Sequence, residues 1–70
     1  MIFRPLHPAE LEQGHRVLHL GVLRTVVAKQ YSERLRAWTV YFSDETASQF
    51  CHEMSVVDES RTASVLARYA

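Results

Sequence analysis

The clearest alternation in this chain runs from Trp38 to Ser43, where Trp38, Val40 and Phe42 fall on one side and Thr39, Tyr41 and Ser43 on the other. Successive strand side chains point to opposite faces, so this period of two predicts a half-buried strand over residues 37–43. It assigns Trp38, Val40 and Phe42 to the core and leaves Tyr41 outside. Upstream, Arg16–Leu20 and Val22–Tyr31 are rich in β-branched residues and flank Gly21, which predicts two strands joined at a bend. The polar run Ser32–Arg36 predicts a connecting turn. Asp44-Glu45-Thr46 predicts a tight one, because an aspartate side chain can accept from the backbone two residues on. Ala47–Glu53 is then expected to pair antiparallel with the Trp38 strand, and Met54–Val57 to add a last short strand.

Helical signals are confined to the two ends. Pro8 suits a first helical position, acids follow in the first turn, and Gly14 is placed to end it, so one short helical turn is expected there. After the break at Asp58-Glu59-Ser60, residues 61–69 predict a terminal helix capped by Ser60, with Val65, Leu66 and Tyr69 on one side. A frayed tail is the alternative. A single helix over residues 8–38 would also align Leu11, Leu18, Val22 and Val26. Two interior glycines, at about 1 kcal/mol each relative to alanine, and the cluster Thr25-Val26-Val27 count against it.

These elements make one domain of residues 1–70, with a β core over residues 12–58 and a helix or tail over residues 60–70. An apolar fraction of 47% and a charged fraction of 23% exclude intrinsic disorder for most of the chain. A chain of 70 residues buries only about 60% of the surface its unfolded form exposes, so its stability is expected to be marginal unless packing or a partner subunit adds to it. Cys51 is the single cysteine, which rules out an internal disulfide. The start lacks the apolar stretch of a signal peptide, and no run approaches the roughly 20 residues of a membrane helix. With the lone thiol, this points to the cytoplasm.

Net charge is zero but unevenly spread. Arg16, Arg24, Lys29, Arg34 and Arg36 stand against Glu33 alone, whereas Asp44, Glu45, Glu53, Asp58 and Glu59 have no base among them. Mutual neutralisation across adjacent strands is the expectation, a two-sided molecule the alternative.

Enzyme chemistry finds no footing here. There is no phosphate loop, nucleophile elbow or paired-carboxylate arrangement. His7, His15, His19, Cys51 and His52 supply metal-ligand types without a zinc spacing, and in strands His15 and His19 would stand about 13 Å apart. Neither a metal nor a cofactor is expected.

Gly14-x-x-Val17, Gly21 with Thr25-Val26-Val27, Trp38–Phe42 followed by Asp44-Glu45, and Met54–Val57 together resemble the SH3-like small-barrel superfamily, which includes KOW and Tudor domains. The likeness covers residues 12–58. It implies an all-β, five-stranded small barrel with a glycine before the first strand, another at the first bend and an acidic turn between two central strands. Two positions depart from it: His15 stands where many members have an acid, and Leu23 replaces the usual second-strand glycine. That superfamily hosts protein binders, nucleic-acid binders and an oligomeric reductase, so fold analogy alone does not choose among them.

The leading expectation is a non-catalytic module acting through protein association, with itself or with another partner. Tyr41 faces outward, Leu18 or Leu20 joins it, and open strand edges remain. The alternative is nucleic-acid binding through a face carrying Tyr31, Tyr41, Arg24, Lys29, Arg34 and Arg36, since arginine neutralises phosphate and an exposed ring offers a stacking surface.

Overall fold

A computed structural model describes residues 1–68. It contains strands β1 (Phe3–Leu6), β2 (Arg16–His19), β3 (Val22–Ser32), β4 (Ala37–Phe42), β5 (Ala47–Phe50) and β6 (Met54–Val57). A 3-10 turn at Pro8–Glu10 follows β1, and helix α1 (Glu59–Ala67) closes the described chain. All strand pairs are antiparallel, in the order β1-β6-β2-β3-β4-β5.

Local chemistry sets the turns. Leu20 and Gly21 form a two-residue connection between β2 and β3 with φ of 52° and 78°, the left-handed pattern that matches the twist of a tight hairpin. In the β4–β5 turn the Asp44 carboxylate accepts from the Thr46 backbone at 3.2 Å, the local bond expected of this residue. Glu45, at φ 68°, completes the reversal.

β3 holds the fold together because it belongs to two pairings. Its first part, Val22–Thr25, pairs with β2, and Val26–Ser32 pairs with β4. Between them Val27 and Ala28 oppose a single β4 position, a bulge that bends the strand. The sheet curls enough for His19 on β2 to reach β5, its Nε2 lying 3.1 Å from Ser48 Oγ and its ring 5.0 Å from Phe50. Inside the curl lie Leu6, Leu11, Val17, Val26, Val40, Phe42, Met54 and Val56, with Phe50 packed against them.

Helix α1 is fastened to the N-terminal segment. Asp58 N–H donates to Ile2 O at 2.8 Å, and Ile2 N–H donates to Thr62 Oγ1 at 3.0 Å. Arg16 of β2 meets Glu59 in a two-pronged ion pair with bonds of 2.7 and 3.0 Å.

The all-β expectation holds, and several details differ. The sheet is open, with six strands and not the five of a closed barrel. The extra strand is β1, whose Pro5 masked it; proline is tolerated there because β1 lies at the edge and needs only one bonded side. The strand expected over residues 47–53 stops at Phe50, where Cys51 and His52 enter a bend. The terminal helix starts two residues early, with Asp58 and not Ser60 as its cap, since the Asp58 carboxylate accepts from Arg61 N–H at 3.0 Å. Tyr69, expected on that helix, lies outside the described residues. The helical turn at Pro8 is present as one 3-10 turn, capped by His7, and residues 16–38 are strand and turn, which excludes the long helix. Trp38 is half-buried and outside the core, whereas Val40 and Phe42 are buried as expected.

Candidate binding surfaces

Residues paired across antiparallel strands share a face, so the register sorts the side chains. Tyr31 pairs with Trp38 and Trp38 with Phe50, which places three aromatic rings in one row across β3, β4 and β5 on the core side of the sheet. The next row holds Lys29, Val40 and Ser48. Val40 is fully buried, whereas the outer row is more open. Tyr31 is 46% exposed there, with its ring 5.2 Å from that of Trp38 and tilted by 57°. Lys29 reaches over the indole at 5.0 Å and donates to Ala9 O at 2.5 Å, which pins the 3-10 turn beside the ring without neutralising the ammonium. Glu33, Arg34, Leu35 and Arg36 form the adjoining turn, all exposed.

The six residues singled out in the sequence therefore divide. Tyr31 and Lys29 meet at this ledge, with Arg34 and Arg36 in the turn that follows. Arg24 does not join them. Its guanidinium is paired with Asp44 at 2.9 Å and bonded to Thr46 at 2.6 Å, lies 6.0 Å from the Phe42 ring, and leaves its side chain 18% exposed. Arg24 Nε is buried without a hydrogen-bond partner among the described residues. Tyr41 pairs with Ala28 and Ala47 on the opposite face, so a single surface carrying both tyrosines is not formed. It lies instead beside the bulge residue Val27, and both are exposed.

Charge is neutralised only in part, and not between adjacent strands: one pair joins β2 to α1 and the other joins β3 to the β4–β5 turn. Among the described residues, Arg16–Glu59 and Arg24–Asp44 are the ion pairs, and both join the basic stretch to the acidic one. Bonding to Thr46, together with the Arg24 charge, holds the Asp44 carboxyl below its ordinary range. The Arg16 hydrogen bond and charge do the same for Glu59, and Glu59 in turn raises Arg16. Lys29, Arg34 and Arg36 take part in neither pair. A local positive excess remains at the β3–β4 end.

A second surface surrounds the β2–β3 turn. Leu18 and Leu23 face each other across the strands on the outer side, Val22 pairs with His19, and Leu20 stands at the tip. All four are exposed, Leu20 at 83%. Four apolar side chains around one two-residue turn exceed the scattered exposure usual for a soluble domain.

No described helix is long and apolar enough to cross a membrane. Among the described residues no three of His, Cys, Asp and Glu converge as metal ligands. His7 Nδ1 accepts from Ala9 N–H at 3.1 Å and His15 Nδ1 from Glu12 N–H at 3.0 Å, so both rings serve the local backbone. A shallow groove of about 300 Å³ runs between Ile2 and the Ser60, Arg61, Ser64, Val65 and Arg68 side of α1.

No family model, curated protein or solved structure matches this chain.

Three residues of these surfaces, Trp38, Val22 and Leu23, are not marked as such by the sequence pattern. Alternation places Trp38 in the core because it fixes a side chain's face without fixing how far along the strand the cover extends. Val22 and Leu23 read as ordinary strand residues. The signal that would have exposed them is Leu20-Gly21, a leucine where such a turn favours asparagine or aspartate.

Proposed function

We propose that this chain is a small non-catalytic association module, SH3-like in plan, that docks through its β2–β3 hairpin end against a second copy of itself. The carrying observation is Leu20. It is an apolar residue held in left-handed backbone at a turn tip, almost wholly in solvent and flanked by exposed Leu18, Val22 and Leu23. A position that costs about 1–2 kcal/mol of backbone strain for an L-residue, and gains nothing by packing within the monomer, is accounted for by contact with another molecule. Full burial of a leucine contributes roughly 1.5–3 kcal/mol, most of it still available to Leu20. Zero net charge leaves no long-range repulsion between copies. A core drawn from eight side chains in so short a chain leaves stability to be gained from assembly.

The SH3-like plan is supported by the β2–β3–β4–β5 meander with β6 returning beside β2, by Gly14 before β2, Gly21 at the first bend and the Asp44-Glu45 turn. A single thiol in the sequence suits a reducing compartment such as the cytoplasm, and that location is part of the proposal.

Sedimentation equilibrium tests the association. A concentration-dependent dimer that Leu18→Ser with Leu23→Ser converts to monomer is the expected result. A strict monomer at every concentration overturns self-association, and a dimer indifferent to both changes moves the interface elsewhere.

A further inference from the structure

We infer that the β3–β4 end is a binding site for single-stranded nucleic acid, with Tyr31 as the stacking platform and Lys29, Arg34 and Arg36 as the phosphate contacts. This site stands apart from the β2–β3 hairpin and does not depend on its docking.

Three observations converge there. Tyr31 is nearly half exposed at the end of an aromatic row, backed at 5.2 Å by Trp38, so its outward face is held in place and open to solvent. An aromatic side chain that packs on one side and is free on the other can take a nucleobase on the free side. Lys29 is held over Trp38 by its bond to Ala9 O, so its charge is ordered beside the rings and does not sweep through solvent. The remaining arginines of the basic stretch, Arg16 and Arg24, are consumed by Glu59 and Asp44, whereas Arg34 and Arg36 sit in the turn that continues the ledge. Against the single acid Glu33 of that turn, three cations leave positive charge in excess where the open ring is.

The arrangement favours single strands over duplex. A row of rings on a pleated sheet presents stacking faces, and a base inside a duplex already has both faces covered.

Trp38 is the chain's only tryptophan, so its emission reports the site directly. Titration with an unlabelled oligothymidylate of twelve nucleotides at low ionic strength is expected to quench Trp38. For three cations on a single strand, the logarithm of the association constant should fall with the logarithm of salt at a slope of about −2. Arg34→Gln with Arg36→Gln lies in an exposed turn and leaves the fold intact; it should lower the slope to about −0.7, the value for one remaining contact. Tyr31→Ala should weaken binding about tenfold, within the range for loss of one base stack, while Tyr31→Phe should keep it, because stacking needs the ring and not the hydroxyl. Circular dichroism checks that each variant is folded. An unmoved Trp38 emission at low salt would overturn the proposal. So would quenching by oligoglutamate equal to that by the oligonucleotide, which would make the site one for acidic peptides, or binding that survives Tyr31→Ala at full strength.

Discussion

Replacing Leu20 with asparagine should stabilise the isolated chain while weakening its self-association, two effects of opposite sign from one substitution. Leu20 has φ 52°, a conformation that costs an L-residue about 1–2 kcal/mol and that asparagine adopts far more readily. Since the side chain is 83% exposed, the monomer loses almost no burial with it. A net gain of about 1 kcal/mol follows, and for a domain of this size that raises Tm by roughly 4–8 °C. In the dimer each copy gives up a leucine worth up to roughly 2 kcal/mol, so a two-fold contact weakens by as much as about 4 kcal/mol, or close to a thousandfold in Kd. Melting must be followed at a concentration where both proteins are monomeric, because dimerisation raises the apparent Tm by mass action. Sedimentation then supplies the second quantity. A lower Tm for monomeric Leu20→Asn would show that the leucine packs within its own chain, and an unchanged dimer constant would remove it from the interface.

Three further outcomes follow from the packing and the ion pairs. Val56→Ala, at a fully buried position between β1 and β2, should cost about 2–3 kcal/mol, a large share of the stability of so small a domain, as read by a lowered urea midpoint. Asp58→Ala removes the α1 cap and should cost about 1 kcal/mol, with faster amide exchange along Thr62–Ala67 and little change in the strands. Asp44 and Glu59 have carboxyl groups held below their ordinary values of 3.8 and 4.5, so the stability they contribute is complete above those values and is lost as pH falls through the lower folded-state ones. Denaturant titrations from pH 6 to pH 2 should therefore show a fall below about pH 4 that Asp44→Asn with Glu59→Gln flattens; an unchanged profile would show that neither pair matters to folding.

Much of the sheet was legible because its signals are local. The period-two run at Trp38–Ser43, the glycine at the first bend and the Asp44 turn each act within a few residues, and each appears where the pattern put it. The missed strand β1 has no such signal. Phe3-Arg4-Pro5-Leu6 becomes a strand only because β6, fifty residues later, offers it an edge, and that pairing is invisible in local propensity. The candidate surfaces failed in the same way. Whether Tyr41 and Tyr31 share a face depends on the register of β3 against β4: Tyr31 pairs with Trp38, three residues from Tyr41 on the same strand, and an odd separation puts the two rings on opposite faces. Grouping the arginines by sequence likewise overlooked that Asp44 and Glu59 would take two of them, although mutual neutralisation was itself the favoured reading of the charge pattern.

The two surfaces sit at opposite ends of one strand. Leu20 precedes Val22, the first residue of β3, and Glu33 follows Ser32, its last, so eleven residues at about 3.4 Å each separate the apolar tip from the basic ledge by roughly 30 Å after bending. Association through the tip therefore leaves both ledges of a dimer free, and the two activities should separate cleanly. Leu20→Asn should leave the affinity for a twelve-nucleotide strand unchanged, since such a strand engages one ledge. For a strand of about fifty nucleotides, which can reach both ledges, the same substitution should weaken binding, because the second contact is intramolecular only while the dimer persists. Side-by-side titrations of the short and long strands decide it. Equal weakening of both would place Leu20 near the nucleic acid itself and refute the separation of the two ends.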